Sequence, residues 1–399
     1  MDKLLSSDAE RYDFAESLKS YQEFSPKVLR LNPLRGEADF IKTLFLSLPG
    51  IQIKENLSWC KRAFRVDKTN QNPKGLFPSL GQDPYIGAGL AYLQEPGATE
   101  AVEMLDPQPG DWVLDLCAAP GGKATQVGEK LGGQGYLVAN DPVRPRAERL
   151  SGIVARHGIL NASISAMAPE NMSDNFAGLF DKVLVDAPCS GESLFAKRKE
   201  LRADIRDADV AGCARRQFLI LSHAARLVRG SGFLLYSTCT YSREENEDIV
   251  DSFVSENPDW EIIKTQRRWP HIDQVAGGFC ALLKNNLPDE NIHLERDRKN
   301  MIEQTDGFLR HGALSWNGEK DFYAEILAAS VFKTDLSLFE SLEVDRAGAL
   351  RFLNGEALPQ TQSSDKKWAR IVFENFSLGP AKNAKDRWNN LIPKALRSS

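Results

Sequence analysis

The chain has 399 residues, 42% apolar and 26% charged, enough for two or three cored domains and unlike a disordered or fibrous composition. Fifty basic against fifty-five acidic residues give a net charge of −5, so a polyanionic partner must be met by a local basic patch and not by overall charge. No run approaches the ~18 apolar residues of a membrane span, and the opening MDKLLSSDAERYDF lacks the layout of a secretion signal, which predicts a cytoplasmic location and no membrane partner.

In chain order, residues 1–105 read as a separate N-terminal segment, helical and mixed, whose RLNPLRGEADF and LSWCKRAF stretches are broken by Pro, Gly and scattered charge. Residues 106–290 then alternate short apolar runs with longer helical patterns, the rhythm of a mainly parallel sheet with helices on both faces. Strands are predicted at 112–117, 135–141, 182–188 and 232–239, with a weaker one at 162–167. PRAERLSGIVARHG and CARRQFLILSHAARLVRGSG space apolar residues three and four apart and close on glycine, as amphipathic helices do. Residues 291–399 run from charged helical text into a β-leaning tail with a polar loop at ALPQTQSSDKK. The fold class is α/β: a doubly wound, Rossmann-like core between two smaller appendages.

The first motif is LDLCAAPGGKAT (114–125), between a predicted strand and a predicted helix, where backbone amides at a helix start face a ligand. It is not a phosphate-cradling Walker loop, because Cys117 and Ala124 occupy the places of its first Gly and its Ser or Thr, and it does not match GxGxxG. Asp141, 26 residues after Asp115, stands where an acidic residue accepts hydrogen bonds from ribose hydroxyls. Adenosine with a small non-phosphate tail fits this pair best, which suggests S-adenosyl-L-methionine as cofactor.

Six cysteines lie apart with no CxxC, arguing against a metal ribbon or disulfide framework and for chemistry by single thiols. Two of them end predicted strands: Cys189 in DAPCSG (186–191) and Cys239 in STCTYSREENE (237–247). Ligands of open α/β sheets bind beyond the carboxyl ends of strands, so both thiols should face the crevice of the glycine loop. Carbon 5 of a pyrimidine becomes nucleophilic when a thiolate adds to carbon 6, and the reverse step benefits from a second ionisable group. Asp186 is the candidate to hydrogen bond the ring near nitrogen 3. Spacing alone does not say which cysteine attacks.

CAAPGGK, DAPCSG and STCTYSREENE together closely resemble the Nol/Nop/Sun RNA cytosine-5 methyltransferases, most of all the bacterial small-subunit ribosomal enzymes of the RsmF kind. The resemblance extends through YLQEPGATEAVEMLDPQPGDWVLD, RRWPHIDQVAGGF and the tail FLNGE…LGPAKNAKDRWNNLIPKALR, most of the chain. It implies a class I methyltransferase core, an N-terminal RNA-binding appendage and a small C-terminal α+β PUA-like module. It implies further that Cys239 is the nucleophile, that Cys189 assists product release, and that Cys117, Ala118, Ala119, Pro120, Gly121, Gly122, Lys123, Asp141 and Asp186 line the cofactor site. Two departures stand out. SAMAPENM places Met167 or Ala168 where relatives carry an acidic or polar residue near the adenine, and LGPAK lacks an aromatic after its Gly.

From Lys366 to Ser399 eight basic residues face only Glu374 and Asp386, a net charge of about +6 with Trp368 and Trp388 interleaved, the pattern of a phosphate-contacting surface with stacking platforms. A second basic stretch, AKRKELRADIR (196–206), follows DAPCSG directly and is placed to guide phosphates flanking a flipped base. The partner implied is RNA, most of all small-subunit ribosomal RNA. Transfer RNA as substrate, and a non-catalytic role as an RNA-binding ribosome assembly factor, remain the alternatives.

Overall fold

A computed structural model describes residues 27–68, 80–191, 207–289, 293–303, 308–309, 339–360, 364–392 and 397. The basic stretch 196–206 lies outside them. Four strands, β1 (Lys27–Leu31), β2 (Ile51–Asn56), β3 (Ala63–Lys68) and β4 (Ala91–Gln94), form an antiparallel sheet in the order β2-β3-β1-β4. The described part of the N-terminal segment is mixed: this sheet is joined by a helix at Ala38–Leu46 and shorter ones at Pro84–Gly87 and Glu100–Leu105. Its strands are short, and their burial follows no common alternation: β1 is buried almost throughout, whereas β2 is mostly exposed.

The central sheet contains β5 (Trp112–Asp115), β6 (Tyr136–Asn140), β7 (Ala162–Ser165), β8 (Phe180–Asp186), β9 (Val228–Thr238), β10 (Trp260–Arg268), β11 (Gly278–Asn285) and β12 (Phe308–Leu309), in the order β10-β11-β9-β8-β5-β6-β7-β12. From β7 to β9 the pairing is parallel. Adjacent residues along these strands serve opposite faces. Val113, Leu137, Leu184 and Leu235 pack with Val127 and Leu150, whereas Leu114, Val138, Val183 and Leu234 pack with Leu221 and Phe253. The five predicted strands are all present. The antiparallel β10–β11 pair was not foreseen, and β9 starts at Val228, inside the stretch read as helix. The helix Leu294–Glu303 packs on this sheet through buried Met301, and Arg298 pairs with Asp181 at 2.8 Å.

The last strands, β13 (Phe339–Glu343), β14 (Leu358–Pro359), β15 (Trp368–Phe373), β16 (Phe376–Asn383) and β17 (Arg387–Asn390), form a mixed sheet in the order β13-β15-β16-β17-β14, crossed by the helix Arg346–Leu353. This module shares one hydrophobic core with the N-terminal sheet: Leu29, Phe45, Tyr85 and Leu90 pack with Phe352, Ile371, Phe373 and Trp388. The Tyr85 hydroxyl donates to Glu374 at 2.6 Å, and Arg346 pairs with Asp83.

Arg30 on β1 couples that body to the helix Gly122–Leu131 of the central domain. Its side chain is 1% exposed and binds Glu129 through both carboxylate oxygens at 2.9 Å, Gln94 at 3.0 Å, Thr125 at 2.8 Å and the Gly122 carbonyl at 2.7 Å. A buried ion pair requires this degree of satisfaction.

Candidate active site

The site is built where the strand order reverses, at the carboxyl ends of β5 and its neighbours. After Asp115 the chain turns through Cys117–Gly121 into the helix Gly122–Leu131. Gly121 has φ 121°, and a Cβ there would stand 3.0 Å from Leu150 Cδ1 and 3.1 Å from Ile153 Cγ2, so glycine lets the loop lie close on the helix Arg144–Arg156. The Ala118 amide donates to Asn140 O at 2.7 Å. The Asn140 side chain binds the Leu116 carbonyl and both backbone groups of Met167, each at 3.0 Å. Three strand ends are thereby stitched together, and at the SAMAPENM departure Met167 is held by its backbone.

Asp141, 1% exposed, accepts from the Val143 amide at 3.0 Å and pairs with Arg146 at 3.1 Å, while Arg146 donates to Ala119 O at 3.0 Å. Asp115 is wholly buried, and neither carboxylate oxygen has a hydrogen-bond partner. Burial first, then the charge of Asp186, pushes its pKa up to about 8. Burial and the neighbouring Asp115 likewise push the Cys117 thiol up, which keeps it protonated and unsuited to attack.

The two cysteine loops lie side by side because Asp186 on β8 pairs with Ser237 on β9. Ser237 Oγ donates to Asp186 at 2.9 Å, and Lys123 Nζ pairs with Asp186 at 2.8 Å. Burial opposes the Lys123 charge, but Asp186 outweighs it and holds the ammonium above its ordinary range. Cys189 Sγ and Cys239 Sγ are 3.1 Å apart and both are free thiols, well beyond a disulfide bond of about 2.05 Å. Cys239 is exposed. The hydrogen bond to Cys239, then burial, raises the Cys189 pKa well above that of an ordinary thiol, so Cys189 keeps its proton.

A pocket of about 130 Å³ opens beside Cys239, lined among others by Lys123, Asp186, Ser237, Arg268 and Gly278. A Cβ on Gly278 would meet Thr238 O at 2.7 Å, so glycine lets β11 lie close to the Cys239 loop. Arg268 is fixed by both oxygens of Glu100 at 2.7 Å and by Asp273 at 2.7 Å, with its guanidinium 4.3 Å over the ring of Trp59 from the β2–β3 hairpin. Of the sequence-predicted residues, Lys123, Asp186 and Cys239 meet in this pocket and Cys189 adjoins it. Cys117–Gly122 and Asp141 do not line it and follow the carboxyl ends of β5 and β6. A larger cavity of about 460 Å³, around Cys60 and Glu129, contains none of the motif residues.

Several residues here had no role from sequence. Asn246 accepts from Thr238 Oγ1 at 2.5 Å and donates to Thr240 O at 3.1 Å, anchoring both sides of Cys239, and Glu245 lies wholly buried beside it. The run REENE immediately after STCTYS was the available signal. In the C-terminal module, one expectation fails: Trp388 is 1% exposed and belongs to the shared core, so it is no stacking platform. Trp368 is partly exposed on β15, with Lys367 Nζ 5.1 Å and Lys382 Nζ 5.7 Å from its ring.

Residues 102–292 match the family model for 16S rRNA methyltransferase RsmB/F, and residues 339–398 match that for the methyltransferase RsmF PUA domain. The ribosomal RNA small subunit methyltransferase F of Shewanella piezotolerans is 32% identical over 281 residues, 68% of this chain and 57% of that protein. The 25S rRNA (cytosine-C(5))-methyltransferase nop2 of Schizosaccharomyces pombe is 26% identical over 329 residues, 74% of this chain and 53% of that protein. The chain thus spans little more than half the length of these curated relatives. A solved methyltransferase homolog from Pyrococcus horikoshii superposes with a TM-score of 0.59 at 25% identity, covering 68% of this chain and 90% of that one. With a Rossmann-like class I core, a C-terminal PUA domain and both family models in order, the chain belongs to the RsmB/F family of ribosomal RNA methyltransferases.

Proposed function

We propose that the protein methylates carbon 5 of a cytidine in RNA, with S-adenosyl-L-methionine as donor and small-subunit ribosomal RNA as substrate. The observation that carries this reading is the pair of free thiols 3.1 Å apart, beyond the paired ends of β8 and β9 and beside the Lys123–Asp186 pair. The fission-yeast relative is named for the same ring carbon.

The residues present fit the cofactor. Asp115 carries two buried oxygens without a donor, which an ammonium group would satisfy. The loop Cys117–Lys123 offers amides at a helix start, and buried Asp141 is the acceptor for ribose hydroxyls. When bound, the sulfonium cofactor supplies an electrophilic methyl group.

The chain's own residues do the rest. Lys123 and Asp186 present a donor and an acceptor side by side, the complement of nitrogen 3 and the 4-amino group of cytosine. Cys239, the accessible thiol, adds as thiolate to carbon 6, and the ring electrons displaced make carbon 5 nucleophilic. After methylation, solvent water at the open pocket takes the carbon-5 proton; the C–H electron pair re-forms the 5,6 double bond and the carbon–sulfur pair returns to Cys239. Cys189, still protonated, hydrogen bonds to that departing sulfur and assists release. The N-terminal sheet and the basic face around Trp368 are the surfaces that would receive RNA.

Transfer of labelled methyl groups to unmodified small-subunit RNA, assembled small subunits and transfer RNA tests the reading. We expect label at carbon 5 of cytidine on small-subunit RNA, lost in Cys239→Ala. Transfer that survives Cys239→Ala would remove the covalent route.

A further inference from the structure

Behind the two thiols stands a carboxylate that the reaction as written does not use. Glu245 is wholly buried. Its Oε2 accepts from the Ser190 amide at 2.9 Å and Gln217 Nε2 at 2.7 Å, and its Oε1 accepts from the Ser190 hydroxyl at 2.5 Å. Gln217, on the long helix Asp207–Leu227, also donates to Pro188 O at 3.0 Å. The residues on both sides of Cys189 are therefore held by one carboxylate and the amide bound to it.

The same glutamate reaches the other loop. Its backbone carbonyl accepts from Tyr236 OH at 2.7 Å, and Tyr236 lies on β9 three residues before Cys239. Ser190 Oγ is also 3.0 Å from Thr240 Oγ1, the residue after Cys239. A buried carboxylate is costly unless donors surround it. Here those donors come from the cysteine loops themselves or from the helix behind them.

We infer that Glu245 is a positioning residue that latches the Cys189 loop to the Cys239 loop and sets the distance between the two sulfurs. Its catalytic consequence rests on the roles proposed above for those thiols. Glu245→Ala removes every side-chain contact to the Cys189 loop. Glu245→Gln can keep them: one amide oxygen serves the Ser190 amide and Gln217, the amide nitrogen donates to Ser190 Oγ, and that hydroxyl turns to Thr240. Ser190→Ala removes only the hydroxyl arm and is the milder variant if Glu245→Ala does not melt cooperatively.

Phenylarsine oxide measures the pairing directly. Its arsenic forms two As–S bonds with two thiols, releasing one water, and holds firmly only when the sulfurs are adjacent. Cys189→Ala should abolish this bridge, Glu245→Ala should weaken it about tenfold, Ser190→Ala should weaken it less, and Glu245→Gln should match the wild type. Folded Glu245→Ala and Ser190→Ala proteins that bind the arsenical as tightly as the wild type would overturn the latch.

A second measurement, trapping of covalent protein–RNA adduct in a denaturing gel, reads the catalytic consequence. Cys189→Ala and Glu245→Ala should both accumulate an adduct that disappears when Cys239 is also changed to Ala, whereas a general loss of fold would only reduce adduct. Trapping by Cys189→Ala but not by Glu245→Ala would refute the positioning role. No trapping by Cys189→Ala would instead remove the role proposed for Cys189, and the arsenical result would still judge the latch.

Discussion

Replacing Arg30 by methionine leaves the Glu129 carboxylate in the interior without its cation, because that side chain is only 5% exposed. Breaking a buried pair from one side typically costs about 3–5 kcal/mol, a large part of the roughly 5–15 kcal/mol that holds a domain folded. Gln94 Oε1 loses the Arg30 donor and the Gly122 carbonyl is left with only the longer bond from Thr125 Oγ1 at 3.2 Å besides its helix bond, so the glycine loop should loosen together with β1. Urea unfolding followed by tryptophan fluorescence should show this loss, and cofactor affinity should fall with it. Burial raises the Glu129 pKa and Arg30 opposes that rise, so removing Arg30 drives it further up. A carboxyl raised in the folded state holds its proton better there than in the unfolded chain. Both folded proteins hold the Glu129 proton above the ordinary glutamate value of about 4.3, so the deficit should be smallest in acid and grow only above the wild type's raised Glu129 pKa, where the variant alone keeps the proton. The double variant Arg30→Met/Glu129→Leu should recover most of the loss, since an apolar pair carries no desolvation penalty. A single-variant cost under about 1 kcal/mol, or a double variant less stable than the single one, would refute this account of the joint.

Asp115 predicts a pH dependence of its own. Its pKa, raised by burial to about 8, makes the folded protein hold a proton that the unfolded chain releases near pH 3.9. That contribution is complete at acid pH and lost as pH rises through about 8, so Asp115→Asn should flatten the melting temperature against pH without cofactor. Parallel profiles for the two proteins would count against it. For RNA, changing Lys366, Lys367 and Lys382 together to alanine should reduce the salt slope of binding by about 2, at 0.7–0.9 per lost phosphate contact, with cofactor-induced stabilisation unchanged. An unaltered slope would move the RNA elsewhere. Point changes are needed because deleting the module would uncover Phe45 and Tyr85.

The central sheet was legible because its strands are buried on both faces and read as short Val- and Leu-rich runs ending in turn residues, as in WVLD and FDKVLVD. The thiol pair was legible because strand ends in such sheets converge on one crevice. The N-terminal sheet was obscured because the residues completing its core, Phe352, Phe373 and Trp388, lie at the other end of the chain. For the same reason Trp388, set in basic text, read as a surface platform although tertiary packing buries it. Glu245 was hidden among charged neighbours at a helix start, where acidic residues are usually solvated. The pairing of β8 with β9 brings the Cys189 loop beside it, and Glu245 accepts from the Ser190 amide there.

The shared core of the first and last sheets has a consequence for the order in which the chain folds as it is made. Apart from its edge strand β12, the central sheet can close once β11 has emerged, because its helices and strands follow one another along the chain. Leu29, Phe45 and Tyr85, synthesised earlier, must wait with their apolar faces uncovered until Phe352 and Phe373 leave the ribosome. The N-terminal sheet, though made before the central one, is thus buried after it, and it is there that a chaperone would find a long-lived binding surface.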